Sequence, residues 1–387
     1  MDANDKRVTL PFYAPLNWHG MTAGVWFSLL WRNRFDISLS HVPMTVSVSM
    51  MTVLNSCLRV VSEAIYRKKA ERVRIYPAPI FVIGHWRTGT TLLHELLVKD
   101  KRFAFPDTYQ CMAPHHFPLT NGILSVVADW LMPGSRPMDN MPVGMARPQE
   151  DEFALMNLGV GSPYLDWAFP NRGKTHDEFL TLKPLDEATR EQWKSEFNWF
   201  LRRVAMCNPK RLVLKSPTHT ARVSALLELF PDARFLHVVR NPLDTIPSTI
   251  RTWTRMTDAL SMQVRRAPIS EDRILDVFEQ MNDQFEVDRQ LLGDRQIHEV
   301  RFEDLVADPV NELREVYRQL ELGDFEPARR GVEEYLRSQD GYQRNSHVVS
   351  DELRKKISSR CEAYIENYGY AEWVCPAKVA SLVAEET

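Results

Sequence analysis

The chain has little cysteine, and what it has is scattered: Cys57, Cys111, Cys207, Cys361 and Cys375 are an odd number without metal-ligand spacing. That pattern argues against a disulfide frame or a zinc site and for reduced thiols in a cytoplasmic setting. Excess charge is also missing, since the formal net charge is only −3. This excludes a globally basic polyanion binder and argues against a nucleic-acid partner, while leaving room for a local basic pocket. The opening MDANDKRVTLPF has no apolar core of the secretory kind, so no cleaved signal is expected. Internal repeats and low-complexity tracts are absent as well. With 387 residues, 44% of them hydrophobic and 26% charged, the composition allows one large core plus an appended region.

The most telling absence is a lysine. In Ile80 to Leu97, IFVIGHWRTGTTLLHELL, a short apolar run leads into a glycine loop and then into leucines spaced along one helical face. The run Ile80, Phe81, Val82, Ile83 predicts a buried parallel strand, and the backbone N–H groups at the following helix start would point at a bound anion. Gly84 and Gly89 stand five apart, as in G-x-x-x-x-G-K-[ST], but Thr90 takes the lysine position and Thr91 follows it. An ATP or GTP hydrolase needs that lysine on its β- and γ-phosphates; here the nearby cation is Arg87, inside the loop.

Residues 1–75 read as mainly helical, ending in the basic run Arg67, Lys68, Lys69, Arg72, Arg74 before Pro77 and Pro79. Within them Val42 to Val61 comes nearest to a membrane span, but Thr45, Ser47, Ser49, Thr52, Asn55, Ser56 and Arg59 interrupt it. The spacing favours a helix docked on the main domain; peripheral membrane contact is the alternative, supported by Trp18, Trp26, Phe27, Trp31 and Phe35 just upstream. Residues 76–387 form the main domain. Between 105 and 209 aromatics, prolines and polar residues mix, which predicts an irregular, partly helical insertion on the acceptor side. Three further strands are expected, at Leu212 to Leu214, Phe235 to Val239 and Ile297 to Phe302, the last followed by a helix capped by Asp308 with Pro309 first. The alternation predicts an α/β, three-layer fold with a mostly parallel, doubly wound sheet.

Open α/β sheets bind ligands outside the carboxyl ends of their strands. Arg87 follows the first strand, Lys215 the next and Arg240 the one after, so three strand ends deliver positive charge to one rim. A ligand with several separated anionic groups fits such a rim. Ser248, eight residues past Arg240, would lie on the following helix with its hydroxyl toward the anion that Arg240 binds.

With the lysine-less phosphate loop and VVRNPLDTIPS, the chain resembles the sulfotransferases that use 3′-phosphoadenosine 5′-phosphosulfate (PAPS), in particular the broad bacterial and Golgi-type branch. The resemblance covers roughly residues 80–95, 211–253 and 297–309 and rests on the R-N-P-x-D-x-x-x-S spacing. It implies a P-loop-like fold in which residues 84–91, among them Arg87, Thr88, Gly89, Thr90 and Thr91, bind the 5′-phosphosulfate, while Arg240 and Ser248 bind the 3′-phosphate. It also implies that Lys215 lies near the transferring sulfuryl group and that Phe302, where tyrosine is frequent, supports adenine. Arg344, in GYQRNSHVVS, falls where cytosolic relatives carry a basic lid, although the glycine-rich lid sequence is absent.

The implied reaction is O-sulfation of a small-molecule, lipid or saccharide hydroxyl by in-line displacement, leaving 3′-phosphoadenosine 5′-phosphate. It calls for charge on the leaving oxygen, from Arg87 and Lys215, and for no bound metal. The base stays open among three candidates. His116, beside His115 in APHHF, has the best unperturbed pKa; Glu150, in RPQEDEFAL, is within reach if Phe153 anchors a helix; and Asp107 is the carboxylate nearest the register of the glutamate in tyrosyl and glycosaminyl relatives. The acidic triplet Glu150, Asp151, Glu152 is otherwise a set of helix-dipole partners, and His219 remains an outsider. Two competing readings are a magnesium-dependent nucleotide kinase, which the missing lysine disfavours, and a protein that binds PAPS without turning it over.

Overall fold

The computed structural model describes residues 15–122, 125–126, 144–173, 175–339 and 349–374. Its centre is a five-stranded sheet built from β1 (Ile80–Ile83), β2 (Phe103–Ala104), β3 (Arg211–Lys215), β4 (Arg234–Val239) and β5 (Ile297–Arg301) in the order β2-β3-β1-β4-β5. All neighbouring pairs are parallel, with Ile80 opposite both Val213 and Arg234. The expected fold class holds. β5 stops one residue earlier than expected because Phe302 already starts a helix, and β2 is an addition too short for any periodicity to reveal. A second helix then begins at Pro309 as expected, with the Asp308 carboxylate accepting from Asn311 N.

Strand β1 is buried throughout because both faces of the sheet are covered. Phe81 and Ile83 enter one core with Leu212, Leu214 and Phe235, whereas Ile80 and Val82 enter the other with Leu93, Leu96 and Val213. The chain leaves β1 to one side for β2 and β3 and crosses to the other for β4 and β5. The loops after β1, β3 and β4 therefore open side by side at the carboxyl edge, where such sheets hold ligands.

The N-terminal region contributes α1 (Ala23–Arg32) and the 30-residue α2 (Val42–Glu71), and it shares the larger core: Trp18 and Trp26 are fully buried there. Its seam with the body is polar. Trp18 Nε1 donates to the Leu260 carbonyl at 2.6 Å, and Asn55 Oδ1 lies 3.1 Å from His116 Nε2, while Asn55 Nδ2 donates within the region to the carbonyls of His19 and Met21 at 2.6 and 2.9 Å. On the body side, helix α3 (Thr90–Leu97) follows β1, and α4 (Thr108–Met112) is capped by Asp107, whose carboxylate accepts from Gln110 N at 2.7 Å. After α5 (Glu152–Leu158) the long helix is α6 (Glu187–Cys207), a regular 21-residue helix inside the stretch expected to be irregular and partly helical. It buries Trp193, Phe197, Phe200, Leu201 and Val204 along one face. Helix α7 (Pro242–Leu260) follows β4.

Burial of the seam has a titration consequence. Burial lowers His19 and His116 to about 4 and His115 to about 3, from an ordinary value of 6.5. The folded state holds these rings neutral while the unfolded chain takes up protons, so their stabilisation is complete above about 6.5 and is lost as pH falls toward about 4. Asp107, pushed up to about 6 by burial, works in the opposite sense and offsets part of that loss. The urea midpoint should accordingly fall between pH 6.5 and about 4, and His116→Gln should flatten the fall. A wild-type midpoint constant across that window would contradict this.

Candidate functional site

The loop between β1 and α3 is shaped by two glycines. Gly84 has φ +142°, and a Cβ there would stand 2.5 Å from the Val238 carbonyl; Gly89, the residue before α3, has φ +104°, and a Cβ would stand 2.2 Å from the Phe302 ring. Both positions accept only glycine without strain. Gly84 N donates to Thr220 Oγ1 at 2.7 Å, and the Thr88 hydroxyl donates to the His85 carbonyl at 2.8 Å. No side chain caps α3, so the amides of its first turn, where Thr90 and Thr91 stand, are left to an external acceptor.

The cations gather around this loop. Arg87, held at φ 69°, donates from Nε to Ser248 Oγ at 3.0 Å. Arg240 Nη1 donates to the Arg87 carbonyl at 3.1 Å, and its guanidinium lies 4.3 Å over the Phe302 ring. Thr249, next to Ser248 on α7, donates to the Trp86 carbonyl at 3.1 Å. Thus α7 and the residues after β4 and β5 clasp the loop from one side. Ser248 meets Arg87 here, whereas the sequence pattern pairs it with Arg240. The set suits a nucleotide with anions at two places: backbone amides and Arg87 at the helix start, Arg240 farther along, and an aromatic ring between Gly89 and Arg240.

On the other side of the loop stands Lys215, the last residue of β3. Its Nζ donates to Glu150 Oε1 at 2.7 Å, while the Tyr164 hydroxyl donates to Glu150 Oε2 at 2.6 Å. Trp86 Nε1 in turn donates to the Tyr164 oxygen at 3.1 Å, so one hydrogen-bonded chain runs from the phosphate loop through Tyr164 and Glu150 to Lys215. Tyr164 stacks on Trp167 at 4.2 Å, and Trp253 meets Trp86 edge-on at 5.2 Å, forming an aromatic wall beside Glu150.

The acidic triplet is more than a set of dipole partners. Each carboxylate takes a different basic side chain from β3 and the turn after it: Glu150 takes Lys215, Asp151 takes His219 Nε2 at 2.5 Å, and Glu152 takes Arg222 at 2.6 Å and the Thr218 hydroxyl at 2.8 Å. Asp151, His219, Glu152 and Arg222 have no exposed side-chain surface. Burial alone would raise the Asp151 pKa, but the charge and hydrogen bond of His219 outweigh it and hold it below the usual range.

The structure brings together Arg87, Thr88, Gly89, Thr90, Thr91, Lys215, Arg240, Ser248, Phe302 and Glu150. His116 is elsewhere engaged: Nδ1 lies 2.9 Å from Thr120 Oγ1 and Nε2 lies 3.1 Å from Asn55 Oδ1, both in the N-terminal seam. Asp107 is a helix cap, although its segment runs antiparallel beside Pro148 and so supports the approach to Glu150. Arg344 lies outside the described residues. Tyr164, Trp86 and Trp253 are additions that sequence reasoning misses. Nothing local marks Tyr164, which becomes visible only when the insertion packs on the loop.

A family model described as "Sulfotransferase family" matches residues 79–327. The omega-hydroxy-beta-dihydromenaquinone-9 sulfotransferase Stf3 of Mycobacterium bovis is 37% identical over 357 residues, covering 92% of this chain and 92% of that protein. The same figures hold for Stf3 of Mycobacterium tuberculosis. Among solved structures, the sulfotransferase STF9 of Mycobacterium avium superposes with a TM-score of 0.66 at 16% identity, covering 90% of this chain and 96% of that one. The sulfotransferase STF1 of Mycobacterium tuberculosis gives 0.58 at 18%, covering 87% and 90%. These two likenesses concern the fold.

The buried Glu152–Arg222 pair yields a stability test. Arg222→Met strands a carboxylate away from water and should cost about 3–5 kcal/mol in urea unfolding, whereas the double variant with Glu152→Gln should recover a large part. Equal losses in the single and double variants would show that the pair's charge is not what the site depends on.

Proposed function

The chain belongs to the sulfotransferase family and is an O-sulfotransferase, and we propose that it takes the sulfuryl group from PAPS and gives it to a terminal hydroxyl of a lipid acceptor, with Glu150 as the base. The observation that carries the reading is the Lys215–Glu150 contact of 2.7 Å, joined through Tyr164 to the phosphate loop. PAPS supplies an electrophilic sulfur bonded to a good leaving group. The amides at the start of α3 and Arg87 would hold its 5′ end, Arg240 its 3′-phosphate, and Phe302 its adenine.

In-line transfer forms a bond from the acceptor oxygen to sulfur and breaks the bond from sulfur to the bridging phosphate oxygen. Two charges change together: the acceptor loses a proton and the leaving oxygen gains negative charge. A cation and a carboxylate that touch in the resting protein suit that pair of events. Lys215 turns to the leaving oxygen, and Glu150, released from Nζ and still held by Tyr164, takes the proton. Glu150 is preferred over His116 because both ring nitrogens of His116 are occupied in the seam and burial lowers it to about 4. Asp107 is preferred less because it caps α4.

For the acceptor, support comes from the 37% identical relative, which by its name acts on an omega-hydroxylated dihydromenaquinone, and from the aromatic wall of Trp86, Trp167 and Trp253 beside Glu150. The scattered cysteines favour a cytoplasmic setting for the reaction. Positive charge from Arg87, Lys215 and the amides leaves no demand for a metal, so transfer should persist in a strong chelator.

Lys215→Ala should lower turnover by ~10²-fold or more while leaving 3′-phosphoadenosine 5′-phosphate binding nearly unchanged, because Lys215 acts on charge that develops in the transition state. Glu150→Gln should do the same and remove the acidic limb of the turnover–pH profile, whereas His116→Gln should retain turnover. Full activity of Glu150→Gln would end its candidacy as base.

Arg240→Ala should weaken 3′-phosphoadenosine 5′-phosphate roughly 10- to 100-fold, as expected for loss of a charge-assisted contact. Adenosine 5′-phosphate should be nearly unaffected. Calorimetry with the two ligands separates these effects, and equal losses would remove Arg240 from the 3′-phosphate.

A further inference from the structure

Helix α2 is amphipathic in the reverse sense. Its inward face mixes Met44, Val48 and Ala70 with Thr45, Thr52, Asn55 and Ser62, whereas Val46, Met50, Val53, Leu54, Val60 and Val61 turn outward, Met50 with 71% and Val60 with 70% of its surface exposed. Upstream, Trp31 and Leu39 extend the apolar surface with exposures of 75% and 91%. A helix on a body surrounded by water has the opposite arrangement, and an apolar patch of this extent marks a surface that meets something. The helical stretch Leu39–Glu71 is 33 residues long and contains an 18-residue window of mean hydropathy 1.4, enough by length and composition to cross a bilayer.

Its inner face argues against crossing. Asn55 is bonded to the His19 and Met21 carbonyls, Ser49 Oγ accepts from Trp26 Nε1 at 2.9 Å, and Ser56 Oγ accepts from Ala23 N at 2.9 Å. A charge within the stretch also belongs to the body side: Glu63 pairs with Arg203 at 2.6 Å. Stripping these partners away in hydrocarbon would leave several polar groups unsatisfied.

Charge at the helix end identifies the partner. Arg67, Lys68, Lys69, Arg72 and Arg74 are exposed where the apolar face stops, and Arg67 is bonded to Glu71 at 2.9 Å. Five cations against that one acid leave the run strongly basic. Apolar side chains beside a basic run suit the acyl boundary and the headgroups of an anionic bilayer. We infer that the outer face of α1 and α2 lies flat on an anionic membrane surface and presents the enzyme to an acceptor held in that bilayer. This rests on the lipid-acceptor reading above, and the position of the helices agrees with it. Asn55 touches His116, and Gly20 backs onto Asn157 of α5, the helix that follows Glu150.

The test is flotation of the full chain with vesicles of phosphatidylcholine alone or mixed with phosphatidylglycerol. The wild type should float with the mixed vesicles. The double variant Met50→Glu, Leu54→Glu should lose roughly tenfold or more of its vesicle partition, because two apolar anchors become charges. Lys68→Glu, Lys69→Glu should lower partition only onto vesicles containing phosphatidylglycerol, and added salt should abolish the difference from wild type. All variants should keep wild-type binding of 3′-phosphoadenosine 5′-phosphate and wild-type transfer to a short, water-soluble alcohol. Failure of transfer to every alcohol would count against the sulfation reading and not against docking. Wild-type flotation of the Met50→Glu, Leu54→Glu variant would overturn the inference, as would a wild type that stays unbound with both vesicle types. A dimer in sedimentation equilibrium that the same double variant splits would overturn it too, by making the face a contact between two copies.

Discussion

Three consecutive carboxylates, Glu150, Asp151 and Glu152, meet three basic side chains from β3 and the turn beyond it, Lys215, His219 and Arg222, and the site depends on this lacing. The inner two pairs have no exposed side-chain surface, so neither partner can trade the other for water. A shift of one residue in either segment would strand a buried charge. The register between the insertion and the edge of the sheet is therefore set, and the outermost pair, Glu150 with Lys215, inherits its position from the two behind it. Those inner pairs are part of how the proposed base and the cation proposed to face the leaving oxygen come to share one point.

The same economy of polar groups governs the N-terminal helices. Asn55, Ser49 and Ser56 are spent on packing α2 against α1 and the turn before it, where they tie down backbone carbonyls, an indole and an amide. What remains for the outside of α2, ahead of its basic end, is largely apolar. Such a surface would lower solubility without return in a protein that meets only water, and it gains a use where the acceptor is itself dissolved in a bilayer. His116 belongs to this seam, which is why burial drives its ring toward the neutral form.

Local features are legible in the amino-acid sequence. The run Ile80 to Ile83, the glycines of the loop and the Asp308–Pro309 helix start all depend on neighbours within a few residues. Other features depend on distant neighbours. Strand β2 is two residues long and exists because β3 offers it an edge. Helix α6 has a helical apolar spacing in Trp193, Phe197, Phe200 and Val204, yet the prolines and aromatics that precede it mask that spacing. His116 is attractive as a base by its unperturbed pKa, a property that burial removes. The triplet at 150–152 reads as dipole partners because the sequence alone does not reveal which cations lie opposite.

The sequence by itself determined the fold class, the glycine loop without its lysine and the three cationic strand ends, because periodicity and short spacings act through the local backbone. Tertiary structure decided the rest. It chose which carboxylate stands against Lys215, joined Tyr164 and Trp86 to it, set Ser248 against Arg87, and turned the apolar face of α2 outward. Each of these is a pairing between segments far apart in the chain, and such pairings are settled by which buried charges and hydrogen-bonding groups can all be satisfied at once.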